Sequence, residues 1–163
     1  MKIVTLCFFT CMVCLGQSQT QGRSPCDNPK AHEFDFWIGN WTVYQTGSDK
    51  VVGYNTITAV AGGCGLQENW KDVTGNSIGT SLNKYAFRKG KWQQFWIDNS
   101  GQTLELEGNY AEGKMIMTNP VPTMLQKVTW FNNADGTVRQ LWEQSKDEGK
   151  TWSVAFDGLY KKN

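Results

Sequence analysis

From Trp41 onward, apolar and polar residues alternate with a period of two in short segments, and clusters of turn residues separate them. The separators are Gly62-Gly63, Val73-Thr74-Gly75, Lys89-Gly90, Asn99-Ser100-Gly101, Glu112-Gly113, Ala134-Asp135-Gly136 and Glu148-Gly149. Glycine and Asx residues of this kind supply the backbone angles that tight hairpins require. Between them lie segments of strand length, among them Val51–Val60, Leu66–Asp72, Trp92–Asp98, Thr103–Tyr110, Val128–Phe131, Val138–Ser145 and Trp152–Tyr160. Leu104, Leu106 and Tyr110 share one face with Gly108, and Thr103, Glu105 and Glu107 take the other. Trp152, Val154, Phe156 and Tyr160 alternate in the same sense with Ser153, Asp157 and Lys161. A two-residue period of this kind marks strands with one buried face. With no helical pattern between them, consecutive strands must pair antiparallel. The fold expected is all-β, an antiparallel up-and-down meander of nine or ten strands. Closure into a barrel is favoured over a sandwich because it leaves no sheet edges bare.

The N-terminal part reads differently. Lys2 followed by the short apolar run Ile3–Leu15 and the small residues Gly16 and Ser18 describes a secretory signal peptide. That run is too short to span a bilayer, and the residues before Cys11 and Cys14 fit a lipid-attachment site poorly. The expected organisation is a signal peptide over 1–16, a flexible leader over 17–25 and one barrel domain over 26–163. Asn28-Pro29 starts one short helix over Ala31–Ile38, which Gly39 ends. Without residues 1–16, fifteen basic side chains balance fifteen acidic ones. A neutral chain with no basic run has no electrostatic claim on nucleic acid or on an anionic membrane. Cys26 and Cys64 are then the two cysteines left, and in an oxidising compartment they are expected to pair.

The stretch Phe34-Asp35-Phe36-Trp37-Ile38-Gly39-Asn40-Trp41 contains a Gly-x-Trp at the start of the first strand. It resembles the opening of lipocalin and calycin barrels. With Gly63-Cys64-Gly65-Leu66-Gln67-Glu68-Asn69-Trp70, Trp92–Asn99 and Arg139–Glu143, it is similar to a family of exported, largely uncharacterised lipocalin-like barrels. The resemblance implies a calycin-type barrel, an exported location and a Trp41 packed across the closed end. Two related groups fit less well. Fatty-acid-binding proteins insert a helical pair after their first strand, where only Gln45–Lys50 intervene here. Nitrobindin-like barrels hold haem through a histidine near the chain end, whereas the single histidine is His32. That leaves only a Tyr ligand for a haem, and no cofactor is expected.

Few residues carry chemistry. His32 has no second histidine or cysteine positioned with it for a metal, and there is no nucleophile elbow for a triad. Ser145-x-Asp147-x-Gly149-x-Thr151-Trp152 matches the Asp-box pattern and is read as a hairpin device. Asn40-Trp41-Thr42 is a glycosylation sequon in a eukaryotic secretory pathway. The informative constellation is polar residues interleaved with tryptophans on strand faces. Leu66, Glu68 and Trp70 share a face, as do Trp92, Gln94, Trp96 and Asp98; Asn55 lies with Gly53 and Ile57, and Ser81 with Gly79 and Tyr85. Arg139 and Glu143 share a face of a later strand and form a candidate internal ion pair.

If those faces look inward, Asn55, Glu68, Trp70, Ser81, Gln94, Trp96, Arg139 and Glu143 make a binding pocket for a small, partly apolar or aromatic molecule. The alternative turns them to solvent, with residues such as Phe95 and Ile97 in the core. Three functions remain open: a barrel that binds a small-molecule ligand, a small enzyme of isomerase, cyclase or hydrolase type with Glu68 as acid or base, and a structural or interaction protein with a filled interior. The sequence sets no oligomeric state.

Overall fold

Ser24–Asn163 are described by a computed structural model; the expected signal peptide and nearly all of the expected leader lie outside the described residues. The chain forms ten strands: β1 (Gly39–Gln45), β2 (Val51–Val60), β3 (Gly65–Asp72), β4 (Ile78–Ala86), β5 (Lys91–Asp98), β6 (Thr103–Ala111), β7 (Lys114–Thr118), β8 (Leu125–Asn132), β9 (Val138–Ser145) and β10 (Ser153–Lys162). Each pairs antiparallel with the next, and β1 pairs with β10 from Trp41↔Lys162 to Gln45↔Gly158, so the meander closes into a barrel. Closure fulfils the expectation drawn from the hairpin spacing.

Alternation sorts the side chains as the pleat demands. Trp41 and Val43, Asn55 and Ile57, Leu66 and Glu68, Trp92 and Gln94, and Met115 and Met117 are buried, while most of their neighbours along each strand are partly or fully exposed. One stretch departs from the sequence reading. The pairing of β10 with β9 slips between Val154 and Phe156, which leaves Ala155 as an extra residue. A bulge of this kind reverses the in–out phase. Phe156 and Tyr160 therefore pack against the core, but Val154 is 62% exposed and does not share their face. Trp152 lies at the hairpin before the bulge, with the Lys127 ammonium 4.2 Å from its ring centre.

One end of the barrel is sealed by the segment before β1. The helix expected over Ala31–Ile38 is tighter and broken, running as 3-10 turns at Pro25–Asp27, Pro29–His32 and Asp35–Trp37. Asn28 caps the second turn as expected, its side chain accepting from the Lys30 amide at 3.0 Å. Residues three apart nearly eclipse in this geometry. Phe34 and Trp37 accordingly stack at 4.9 Å and point together into the barrel, where Phe34 meets the edges of Trp92 and Trp130. The Trp41 indole N–H donates to the Trp37 carbonyl at 2.9 Å, joining plug to wall.

Two tethers hold the plug down. Cys26 and Cys64 form a disulfide, 38 residues apart in sequence, linking the first turn to the start of β3. In the chain-entropy picture a loop of that length is worth about 4 kcal/mol. His32 places Nδ1 2.8 Å from the Asp35 carboxylate and Nε2 2.8 Å from the Cys26 carbonyl. Both ring nitrogens face acceptors, so the doubly protonated ring fits best, and the bond to Asp35 raises its pKa. These two bonds tie the second turn to the third and to the disulfide-linked first.

Trp41 is 1% exposed within this assembly. Trp41→Ala is expected to cost about 3–5 kcal/mol in denaturant unfolding, the usual loss for a large buried aromatic. A cost below about 1 kcal/mol would place the ring outside the load of the closed end.

Candidate functional site

The polar interior begins at β3. Leu66, Glu68 and Trp70 face inward, and the register sets Glu68 opposite Ile57 of β2 and Ser81 of β4. Both carboxylate oxygens are engaged: Asn55 Nδ2 donates to Oε1 at 2.7 Å and Ser81 Oγ donates to Oε2 at 2.7 Å. The network spreads around the wall from there. Asn83 Nδ2 donates to Ser81 Oγ at 2.9 Å, and Gln94 Nε2 donates to Asn83 Oδ1 at 2.9 Å. On the other side Asn55 reaches the Tyr160 hydroxyl at 3.4 Å, and that hydroxyl donates to Gln140 Oε1.

No lysine, arginine or histidine takes part in this network. Burial therefore acts on Glu68 with no compensating positive charge, and its pKa is pushed up to about 7. The bonds from Ser81 and Asn55 favour the ionised form and oppose that rise. The result is a carboxyl poised between its two states near neutral pH. Tyr160 is raised well above its ordinary value, by burial first and by the neighbouring Glu68 second, and stays neutral.

Above Glu68, toward the end opposite the plug, the interior is open. A cavity of about 270 Å³ has Glu68, Gln94, Gln140 and Tyr160 among its lining and Trp70, Trp96, Trp142 and Phe156 as aromatic walls, with Asp72 also in contact. Glycine makes room for the two tryptophans nearest Glu68. A Cβ at Gly53 would stand 2.4 Å from the Trp70 ring, and one at Gly79 would stand 2.1 Å from the Trp96 ring. Trp142 is oriented by its indole N–H, which donates to Gln126 Oε1 at 2.6 Å.

Of the candidate residues, Asn55, Glu68, Ser81 and Gln94 meet in one hydrogen-bonded cluster, and Trp70 and Trp96 line the cavity beside it. Arg139 and Glu143 do not join them. On β9 the inward phase belongs to Val138, Gln140 and Trp142, so the residues between them face outward. Arg139 makes a two-pronged pair with Asp157 of β10 at 2.8 and 2.7 Å, and Glu143 pairs with Lys127 of β8 at 2.9 Å. The expected internal ion pair is absent, and Arg139 cannot be the counter-charge of Glu68. Gln140 and Trp142 were not among the candidate residues, and Phe156 and Tyr160 were read from sequence only as the buried face of their strand. The signal for the first two was Trp142 itself, since Gln140 and Trp142 alternate with Arg139, Leu141 and Glu143 and a tryptophan marks the buried phase. Phe95 and Ile97, the rival core of β5, are 47% and 42% exposed.

The Asp-box residues build the hairpin between β9 and β10 and do not line the cavity. Ser145 Oγ donates to Asp147 Oδ1 at 2.7 Å, and Asp147 accepts from the amide and hydroxyl of Thr151 at 2.8 and 2.6 Å. These bonds hold the Asp147 carboxyl down to about 2, a carboxylate engaged within its own turn. Among the described residues no group of three or more His, Cys, Asp or Glu side chains could hold a metal. No protein-family model matches the chain, and no curated protein matches it.

Glu68 has a direct stability signature. Its folded pKa lies above the ordinary 4.5, so its cost is absent below pH 4.5 and complete above about pH 7. Relative to Glu68→Gln, wild-type protein is expected to lose about 3 kcal/mol of unfolding free energy across that window. Parallel pH–stability curves for the two proteins would show instead that Glu68 titrates as an exposed carboxylate.

Proposed function

We propose that this protein is an exported barrel that binds a small, partly aromatic molecule in the open half of its interior. The observation that carries the reading is the pairing of aromatic walls with a buried polar floor. Trp70, Trp96, Trp142 and Phe156 offer planar apolar faces, while Glu68, Gln94 and Gln140 offer directional polar groups. That combination of mostly apolar lining with a few fixed polar groups is the composition of small-molecule sites. Ligand pockets run from about 300 Å³ upward, so a cavity slightly below this suits a molecule of roughly one or two rings. The plug strengthens the reading, because it fills one end with side chains and leaves the other unfilled. Export is supported by the apolar N-terminal run of the sequence and by the Cys26–Cys64 disulfide.

The Glu68 carboxyl also favours a second reading, in which it acts as a general acid or base on the bound molecule. A carboxyl with a pKa near 7 that faces a cavity holds and releases protons at neutral pH, as such catalysis requires. Ser81 and Tyr160, the hydroxyl groups beside it, are committed to the hydrogen-bond network, so binding is the primary reading. Activity lost in Glu68→Gln with ligand affinity retained would select the second.

Indole serves as a neutral aromatic probe. In an amide NMR titration at millimolar indole, saturable shifts are expected at Glu68, Trp70, Gln94, Trp96 and Trp142. Shifts confined to the outer wall around Leu82 and Phe95, or none that saturate, would overturn the binding reading.

A further inference from the structure

We infer that the molecule this cavity takes is a protonated amine on an apolar or aromatic body, its ammonium seated against the Glu68 carboxylate and ringed by Trp70, Trp96, Trp142 and Phe156. The inference rests on the binding reading and adds the charge of the ligand.

Three observations carry it. The first is the charge of the lining. The ionisable side chains in contact with the cavity are Glu68, Asp72 and Tyr160, and no basic residue is among them. Asp72 accepts from the Thr74 hydroxyl and the Asn76 amide, bonds that hold it ionised. The cavity thus carries negative charge at its floor and its mouth. The positive groups closest along β8 and β9 are already committed outside, Lys127 to Glu143 and Arg139 to Asp157. No rotation of those side chains brings a cation in without breaking an ion pair and crossing the wall.

The second is the surplus of acceptors around Glu68. A carboxylate offers about four lone-pair directions, and Asn55 and Ser81 occupy two. Asn55 Oδ1 is buried beside it and has no donor. Buried acceptors left unpaired are costly, and a donor-rich group relieves them. The Ser81 hydroxyl proton and the Asn55 amide are spent on Glu68 itself, so the free lone pairs of Glu68, which lines the cavity, are open to a donor on the ligand. An ammonium has three N–H donors and no acceptor. An anionic ligand would instead meet a second negative charge with no partner.

The third is the wall. A cation is attracted to the face of an aromatic ring, most strongly of tryptophan, and the attraction grows where water is excluded. Three tryptophans and a phenylalanine around one carboxylate solve the problem that burying an amine otherwise poses. They replace part of its hydration while Glu68 neutralises its charge. The same rings accept an aromatic ligand body, and the small volume limits its size.

A pH dependence follows. The groups facing Glu68 are Asn55 from β2, Ser81 from β4, Gln94 from β5, Gln140 from β9 and Tyr160 from β10. Tyr160 stays neutral and Asp72 stays ionised across the neutral range, so Glu68 alone switches there. Amine affinity should rise as pH passes upward through about 7 and fall only when the amine itself loses its proton.

Calorimetric titration of the wild-type protein with 2-phenylethylamine, 2-phenylethanol and phenylacetate at pH 8 tests this without any variant. The amine is expected to bind at least roughly tenfold tighter than the alcohol, the scale of one hydrogen bond to a charged group, and phenylacetate weakest. At pH 5.5 the amine should lose most of that advantage while the alcohol is unchanged. Glu68→Gln should abolish the amine's advantage over the alcohol at pH 8. Equal or tighter binding of the alcohol or of phenylacetate overturns the inference and leaves the binding reading standing. Binding by none of the three at millimolar concentration overturns both.

Discussion

Pairing between β1 and β10 is the contact on which the rest of the molecule depends. Without it the ten strands form a sheet with two bare edges and no inside. With it, every second residue of every strand acquires a common interior, and the in–out phase of each strand is fixed by its neighbours' register. The interior so defined is wider than its own side chains fill. One half is packed by Phe34 and Trp37, brought in from the segment before β1 and held by the disulfide and by His32. The other half is left to the Glu68 network and the cavity above it.

Taking Glu68 inside is the expensive part of this arrangement. A buried carboxylate without a cation is tolerated only if its oxygens are hydrogen-bonded, and even then part of its desolvation remains uncompensated. Asn55 and Ser81 supply the bonds; nothing supplies the charge. A sequence selected only for stability would place Gln or Leu here, since well-packed neutral groups do as well or better than buried ions. The retained cost is what the proposed binding reading accounts for. On the proposed reading, binding an amine would offset it and complete the interior.

Much of this was legible in the sequence because the inner and outer faces of β3 and β6 differ sharply in polarity. Leu66, Glu68 and Trp70 announced their shared face, and the regular Gly-containing turns announced the meander. Two things were hidden. The bulge at Ala155 shifts the phase of β10 by one residue, and no residue type in Val154-Ala155-Phe156 signals it. On β9, Arg139 and Glu143 looked like an internal pair because the partners that hold them outside, Asp157 and Lys127, lie on other strands. Spacing along one strand does not reveal cross-strand ion pairs. Alternation placed Phe156 and Tyr160 on the buried face of β10, but that they line the cavity depends on the register with β9 and β1.

Whether Glu68 is a lone buried carboxyl at the floor of an open cavity is the question from which the stability, the binding and the charge preference all descend. The most direct measurement is the pH dependence of the Glu68 side-chain carboxyl carbon shift, followed by NMR in ligand-free protein. A titration midpoint near 7, moving downward when 2-phenylethylamine is added, is the result predicted. A midpoint near the ordinary 4.5, unmoved by the amine, would contradict it.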